Sequence, residues 1–355
     1  MRCLTTVYSL VLAIAMLITS CTSLGPRTIP RDQFDYGTAI SNAWKEQLLF
    51  NVVGLRYVEA PVFVNLSSVI NQYSLEGEVS LGGGSNTSFT GDDTLTVGGA
   101  ARYADRPTIT YIPITGQKFA RSLLTPIPPE SLFALIQSGW SPEFVLRLTV
   151  KSINGVNNAQ AGPGNRRDAD PNFLKVLSVW RRLRAAGVIG LRREGDGGNS
   201  RILVYHRRAR VTDETETDLA FLQQALGLDP TESEYELRYG LVAERPTEIV
   251  VLTSSILEIM NELAWRIEVP GAHIEDGRTL PGYDDANSFP DPLIRVHSSA
   301  EKPEDSFVKI RKRDNWYYIE DTDIASKRSF AMLQLMLNLT DTGDTASGPV
   351  VTISN

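Results

Sequence analysis

A chain of 355 residues, 42% hydrophobic and 22% charged, carries enough apolar surface for one large or two modest packed domains, which excludes global disorder. Its formal net charge of -7 gives no general attraction to nucleic acid or anionic lipid. The two cysteines, Cys3 and Cys21, both lie at the N-terminus, which excludes zinc sites built from cysteine clusters.

Arg2 precedes an apolar run from Val7 to Ile18, the order and length of a secretory signal. The run is too short to serve comfortably as a transmembrane anchor, which needs about 20 apolar residues. It ends in Leu17-Ile18-Thr19-Ser20-Cys21, which resembles the lipobox of bacterial lipoproteins: an aliphatic residue, small residues, then the cysteine that takes the lipid. The resemblance implies that residues 1–20 are removed and that acylated Cys21 anchors the chain in a lipid bilayer. Thr22 stands where an aspartate would signal inner-membrane retention, so the resemblance points to the periplasmic face of the outer membrane. With Cys3 lost and Cys21 acylated, no disulfide or thiol chemistry remains in the mature chain, and the fold rests on burial alone.

Residues 21–34 hold Pro and Gly without periodicity and read as a tether. Ile40, Trp44, Leu48, Val52 and Leu55 then recur at helical spacing, and Leu49, Phe50 and Val53 widen the apolar face, predicting a mostly buried helix that Pro61 stops. This segment resembles the opening of a family of uncharacterised bacterial outer-membrane lipoproteins, in which a helix rich in "QLLLN-VRLRY" leads into "P-FL-VSSI". The matching residues are Gln47, Leu48, Leu49, Asn51, Leu55, Arg56, Tyr57, Pro61, Phe63, Ser67 and Ser68; Gly54 stands where that pattern has an arginine. The stretch WYYIEDTDIASKRSFAMLQLM, from Trp316 on, resembles the same family, which brings no established activity.

Beyond the helix the pattern predicts a polar, glycine-rich loop at 82–93, a hairpin of Leu95–Tyr103 with Thr108–Ile114, and helices at 116–124, 129–138 and 142–153. The loop 157–169 is the expected boundary between an N-terminal subdomain, 35–156, and a C-terminal one, 170–355. Asp170-Pro171 is expected to cap a helix with Leu174, Leu177, Trp180 and Leu183 inward. Strands follow at 188–193 and 201–206, a helix near 214–226, strands near 234–240 and 247–252, and a helix at 254–265. An irregular stretch, 270–291, leads to strands at 293–297, 306–311 and 315–320, a helix at 325–338 and a last strand at 350–353. The fold class is α+β: small antiparallel sheets with covering helices, in two packed subdomains.

Charge is segregated: residues 166–210 hold twelve Arg or Lys against four acids, whereas 213–248 hold ten acids against Arg238 and Arg245. The basic part, helix then strand, glycine turn and strand, resembles the second half of a winged-helix domain. Its candidate anion- or partner-binding residues are Arg181, Arg182, Arg184, Arg192, Arg193, Arg201, Arg207 and Arg208. An exported lipoprotein rarely meets DNA, so anionic glycan, lipid headgroups or an acidic partner are the nearer ligands. The competing expectation is that the acidic segment folds against this patch and neutralises it.

Catalytic and metal motifs are missing. His206, His273 and His297 have no zinc-type spacing, there is no GxSxG, and the SxxK match at Ser306–Lys309 falls in extended sequence, where the two residues lie on opposite faces. Glu320, Asp321 and Asp323 sit where a strand turns into a helix and read as an N-cap. In Trp316-Tyr317-Tyr318 one strand face is expected to be core. The sequence therefore predicts a non-catalytic binding or assembly protein of the cell envelope, with no cofactor or metal, docking on another envelope protein; the alternatives are a periplasmic hydrolase of envelope polymer and a binder of anionic glycan or lipid.

Overall fold

A computed structural model of the protein describes residues 25–70, 73–84, 94–105, 108–162, 165–195, 201–283 and 292–340. The fold is α+β. Its described residues form two units, one of residues 25–43 and 64–113, the other of 44–63 and 114–340. The expected lipobox and the last predicted strand, 350–353, lie outside the described residues.

Helix α1 (Gly25–Arg56) begins well before the predicted start, so residues 25–34 are helical and not an irregular tether. Pro26 falls in the first turn, where its missing N–H leaves no hydrogen bond unmade. Residues Asn51 to Tyr57 are all buried, so the end of the helix is enclosed on every side, whereas Trp44 and Phe50 stay exposed. Asn51 explains how the chain leaves the helix. Its Nδ2 donates to Val62 O at 2.7 Å and its Oδ1 accepts from Val62 N at 2.9 Å, satisfying both backbone groups of Val62 as a neighbouring strand would.

The first unit holds a two-stranded ribbon. Strand β1 (Val64–Ile70) pairs antiparallel with β4 (Thr108–Pro113), and β2 (Tyr73–Gly84) pairs antiparallel with β3 (Thr94–Asp105). The predicted hairpin of 95–103 with 108–114 is therefore wrong. The alternating sequence from Tyr73 on offers β3 a partner strand of equal length and complementary pattern. Residues 82–84, expected in a loop, extend β2 opposite Thr94, Thr96 and Leu95; residues 85–93 lie outside the described residues. A bulge at Ser67 shifts the register between Leu66 and Ser68.

The second unit contains short helix α2 (Gly116–Phe119) with a π turn to Leu124, then α3 (Pro129–Gln137) and α4 (Pro142–Thr149). Strands β5 (Val150–Ile153) and β6 (Val156–Asn157) follow, then the small pair β7 (Gln160–Gly162) and β8 (Asn165–Arg167). Helix α4 stops four residues short of its predicted end, because Val150 turns extended and 150–153 pairs with a sheet strand. Next come α5 (Pro171–Ala185), β9 (Ile189–Glu194), β10 (Arg201–His206), α6 (Asp213–Leu226), β11 (Glu234–Tyr239), β12 (Glu248–Thr253), α7 (Ile256–Ala264) and α8 (Gly271–Glu275). Strands β13 (His297–Ser299), β14 (Val308–Lys312) and β15 (Asn315–Ile319) precede α9 (Ile324–Thr340).

A six-stranded sheet in the order β6-β5-β12-β11-β10-β9 organises this unit. It is mixed, with β11 and β12 parallel. Because β5 and β6 join strands from 189–253 in this sheet, the predicted boundary at 157–169 runs inside one unit. Helix α5 packs on α4 and α6 with Phe173, Val176, Leu177, Val179, Trp180 and Leu183 buried; Phe173 takes the inward place expected of Leu174. Asp170 caps it, accepting from Asn172 N at 2.8 Å. A second sheet, β13-β15-β14, is antiparallel, and its β14–β15 turn has Arg313 and Asp314 at φ 50° and 64°, both left-handed as a two-residue type I′ turn needs.

Parallel neighbours normally need a crossover of a dozen or more residues, yet β11 and β12 are joined only by residues 240–247. Glu248 anchors this tight return. Its Oε1 accepts from Arg238 Nη1 at 2.9 Å and from Arg245 Nη2 at 2.6 Å, and its Oε2 accepts from Glu244 N at 3.2 Å. The carboxylate is buried, and its hydrogen bonds from Arg245 and Arg238 hold its pKa down at about 2. Asn154, at φ 44°, serves the other side of β12: its Nδ2 donates to Leu226 O and Glu248 O, and its Oδ1 accepts from Val250 N at 2.6 Å.

The Glu248 carboxylate is more acidic folded than unfolded, so its contribution to stability is full above about pH 4.5 and is lost as the pH falls toward 2. Urea midpoints measured across that window should drop less steeply for Glu248→Gln than for the wild-type chain. An unchanged slope would remove Glu248 as the anchor. Asn154→Ala should cost about 2–3 kcal/mol in the same titrations, from buried backbone groups left unpaired and a non-glycine residue held at positive φ.

Candidate functional site

Two places combine chemistry-bearing side chains: the basic segment singled out by its charge, and a buried polar cluster at the end of α1. The cluster begins with consecutive residues of one helix end. Arg56 is fully buried and donates to Thr279 Oγ1 at 2.6 Å and Leu280 O at 2.7 Å, while Thr279 Oγ1 donates back to Arg56 O. Its guanidinium lies 4.6 Å from the Trp265 ring centroid. No carboxylate among the described residues pairs with it, so hydrogen bonds and an aromatic face hold this cation in the interior.

Tyr57 continues the cluster. Its hydroxyl lies 2.7 Å from His273 Nδ1 and 2.6 Å from Tyr317 Oη. Burial, then the charges of Arg278 and Arg313, hold His273 below its ordinary pKa, and burial with the bond to Tyr57 pushes Tyr317 up. The Tyr57 hydroxyl, one donor and one acceptor, can thus serve both neighbours at once, with the direction of the chain set by the tautomer of His273.

Glu59 closes the cluster at the surface, with Oε2 2.6 Å from Lys312 Nζ and Oε1 2.7 Å from Arg313 Nη2. Lys312 also explains Gly54. A Cβ at Gly54 would lie 3.1 Å from Lys312 Nζ, so the cation comes from the β14–β15 turn and the helix leaves room for it. The cluster is a clasp that seats the end of α1 against β15 and the 271–283 segment, and most of its polar groups bond within it, the buried Nε of Arg56 being left without a protein partner.

The eight arginines of the basic segment are spread over α5, the β9–β10 hairpin and the turn after it. Arg182 makes a bidentate pair with Asp218 of α6, at 2.7 and 2.5 Å, and Arg192 meets Glu234 of β11 at 2.9 Å. Both carboxylates come from the acidic segment, as the neutralising alternative expects. Arg201 pairs with Glu194 across the hairpin at 2.7 Å, and Arg181 approaches Glu143 at 3.6 Å. Arg207 bonds Tyr205 Oη at 3.2 Å, Arg208 bonds Thr231 O at 2.9 Å, and Arg193 lies exposed on β9. The hairpin is no free wing, because β10 continues into the sheet through β11. These exposed pairs contribute about 0–1 kcal/mol each.

Arg184 differs from the rest. It lines a cavity of about 240 Å3 with Gln137, Trp180, Gly190, Leu191 and Tyr205. Its Nη2 donates to Ile136 O at 3.2 Å, and its buried Nη1 has no protein partner. Gly190 is required here, since a Cβ would come within 2.5 Å of the Tyr205 ring. A second cavity, of about 250 Å3, is lined by Arg147, Arg295 and Arg328 together with Glu143. Sequence charge counts found the first arginine set but not the second, whose members come from three distant stretches.

The histidines lie apart. His206 Nε2 donates to Glu232 O at 2.9 Å, and His297 Nδ1 lies 3.1 Å from Glu268. Among the described residues no three His, Cys, Asp or Glu side chains come together to hold a metal ion. Asp323 caps α9, accepting from Ser326 N at 3.1 Å and Ser326 Oγ at 2.6 Å. Tyr317 is fully buried while Trp316 and Tyr318 are half-buried, the split expected of a strand with one core face.

Tyr57→Phe leaves His273 Nδ1 and the Tyr317 hydroxyl without their shared partner and should cost about 1–3 kcal/mol in urea unfolding. Because His273 is less basic folded than unfolded, stability should also fall as the pH drops below about 6.5, and His273→Gln should remove that component. A pH profile identical in wild type and His273→Gln would exclude a neutral, clasped histidine. No family model, no curated protein and no solved structure matches the chain.

Proposed function

We propose that the chain is a lipid-anchored protein on the periplasmic face of the outer membrane, tethered through acylated Cys21, that works by binding and assembly within the cell envelope. One observation carries this reading: a unit built around a two-stranded ribbon whose β4 is exposed along its whole length, including Ile109, Tyr111 and Ile112. Large apolar side chains grouped on one short strand are a surface suited to a protein partner. The resemblance of residues 17–21 to a lipobox, and of the α1 sequence to outer-membrane lipoproteins, supports the location.

A second reading, binding of an anionic group, is favoured by the unpartnered Arg184 Nη1 in its cavity. It predicts ligand affinity that weakens with salt.

Two measurements test the main reading. Metabolic palmitate labelling should mark the wild-type protein and not Cys21→Ala, and only the former should fractionate with the outer membrane. A photo-crosslinking amino acid placed at Tyr111 in the native envelope should yield a discrete protein adduct. An unlabelled, soluble wild-type chain with no adduct would overturn the proposal.

A further inference from the structure

The strands β2 and β3 are each twelve residues long, and their sequences alternate with a period of two. In β2 the odd positions include Tyr73, Leu75, Val79 and Leu81, and the even positions include Ser74, Glu76, Glu78 and Ser80. In β3 the odd positions include Leu95, Val97, Ala101 and Tyr103, and the even ones Thr94, Thr96 and Arg102. The register keeps the two classes apart. Leu75 stands opposite Tyr103, Val79 opposite Gly99 and Leu81 opposite Val97, while Glu76 stands opposite Arg102. The ribbon thus has one apolar face and one polar face, with charge on the odd positions only at Asp105, its last residue.

Length and edges narrow what such a ribbon is for. A strand crosses a bilayer with about 9–11 residues when tilted by about 45°, alternates apolar with polar positions, and carries aromatic residues at the membrane boundary. Both strands meet the length, and Tyr73 and Tyr103 stand near the same end of the hairpin, where β2 begins and β3 finishes. Among the described residues neither β2 nor β3 has a further strand beside it. Open edges are not tolerated in hydrocarbon, where no water can meet the unpaired backbone groups. In water an isolated two-stranded hairpin is marginal.

We propose that β2 and β3 form a membrane-crossing hairpin, and that several copies of this chain pool their hairpins into one closed β-barrel in the bilayer to which Cys21 anchors them. The proposal rests on the lipid-anchored reading above. In that barrel the odd positions belong to the lipid-side face of the sheet, and the even positions, with Glu76, Glu78 and Arg102, to the interior face. The smallest bacterial barrels have about eight strands, so two strands per chain require about four copies or more. The resulting activity is passage of small hydrophilic solutes or ions through an oligomeric pore.

The test uses full-length, acylated protein in phosphatidylethanolamine/phosphatidylglycerol vesicles, with single cysteines introduced along both strands. Bimane at positions 75, 79, 81 and 97 should be quenched by brominated lipid several-fold more than at 76, 78, 80 and 96, while the even positions should react faster with a membrane-impermeant thiol reagent. Planar bilayers should show discrete conductance steps, lost in Val79→Asp and kept in Ser80→Asp, one residue away. Equal quenching at odd and even positions, or a monomer in detergent, would overturn the hairpin proposal and leave a soluble partner as the ribbon's occupant. Palmitate labelling read in parallel separates the failures: label retained without alternation sinks only the barrel, and label absent sinks the anchor.

Discussion

A buried guanidinium without a carboxylate is expensive to place, and the body of the protein is arranged around one. The two terminal nitrogens of Arg56 are met by Thr279 and the Leu280 carbonyl, and its plane by the face of Trp265, groups more than two hundred residues away along the chain. Removing such a cation from water costs several kcal/mol unless its donors are met. The segment 271–283 must therefore close over the helix end in one way. Tyr57 fixes the second side of the same helix end through His273 and Tyr317, and Glu59 fixes the third through Lys312 and Arg313. Arg56, Tyr57 and Glu59, within four residues at the helix end, thus bind the 271–283 segment, β15 and the β14–β15 turn.

Charge elsewhere is used for connection more than for display. The basic helix and hairpin meet acidic residues of α6 and β11, so much of the segregated charge in the sequence is cross-bracing between neighbouring elements. Glu248 is the extreme case, a buried carboxylate that gathers Arg238 and Arg245 to hold a short parallel return. What stays available is local: the buried N–H of Arg184 and the arginine-lined cavity between α4, the Pro292–Arg295 segment and α9.

The ribbon obeys a different constraint. A two-residue period in both strands, kept in phase by an unbroken register over twelve pairs, separates apolar from polar positions. Such separation suits an antiparallel ribbon whose two faces meet different surroundings. The membrane-crossing hairpin proposed above is one such setting, with lipid on one side and water on the other.

Much of the local structure was legible in the sequence because its causes are local. Asp170-Pro171, the Ser255–Glu258 capping box and Asp323 mark helix starts through hydrogen bonds within three residues, and the apolar period of 171–185 marks a buried face. Partners were not legible. Nothing near Thr94–Asp105 says that it pairs with 73–84 instead of 108–114, since β-pairing is decided by which strands can match length and register at a distance. Nor does the composition of 142–153 reveal that Val150–Ile153 leaves the helix to join β12. The clasp of Arg56 and Tyr57 shows the same limit: their residue types were visible in the sequence, but a buried cation and a hydrogen-bonded tyrosine gain meaning only from Thr279, His273 and Tyr317. Those distant groups are brought in by the tertiary fold, because only burial makes an unpaired polar atom costly enough to select them.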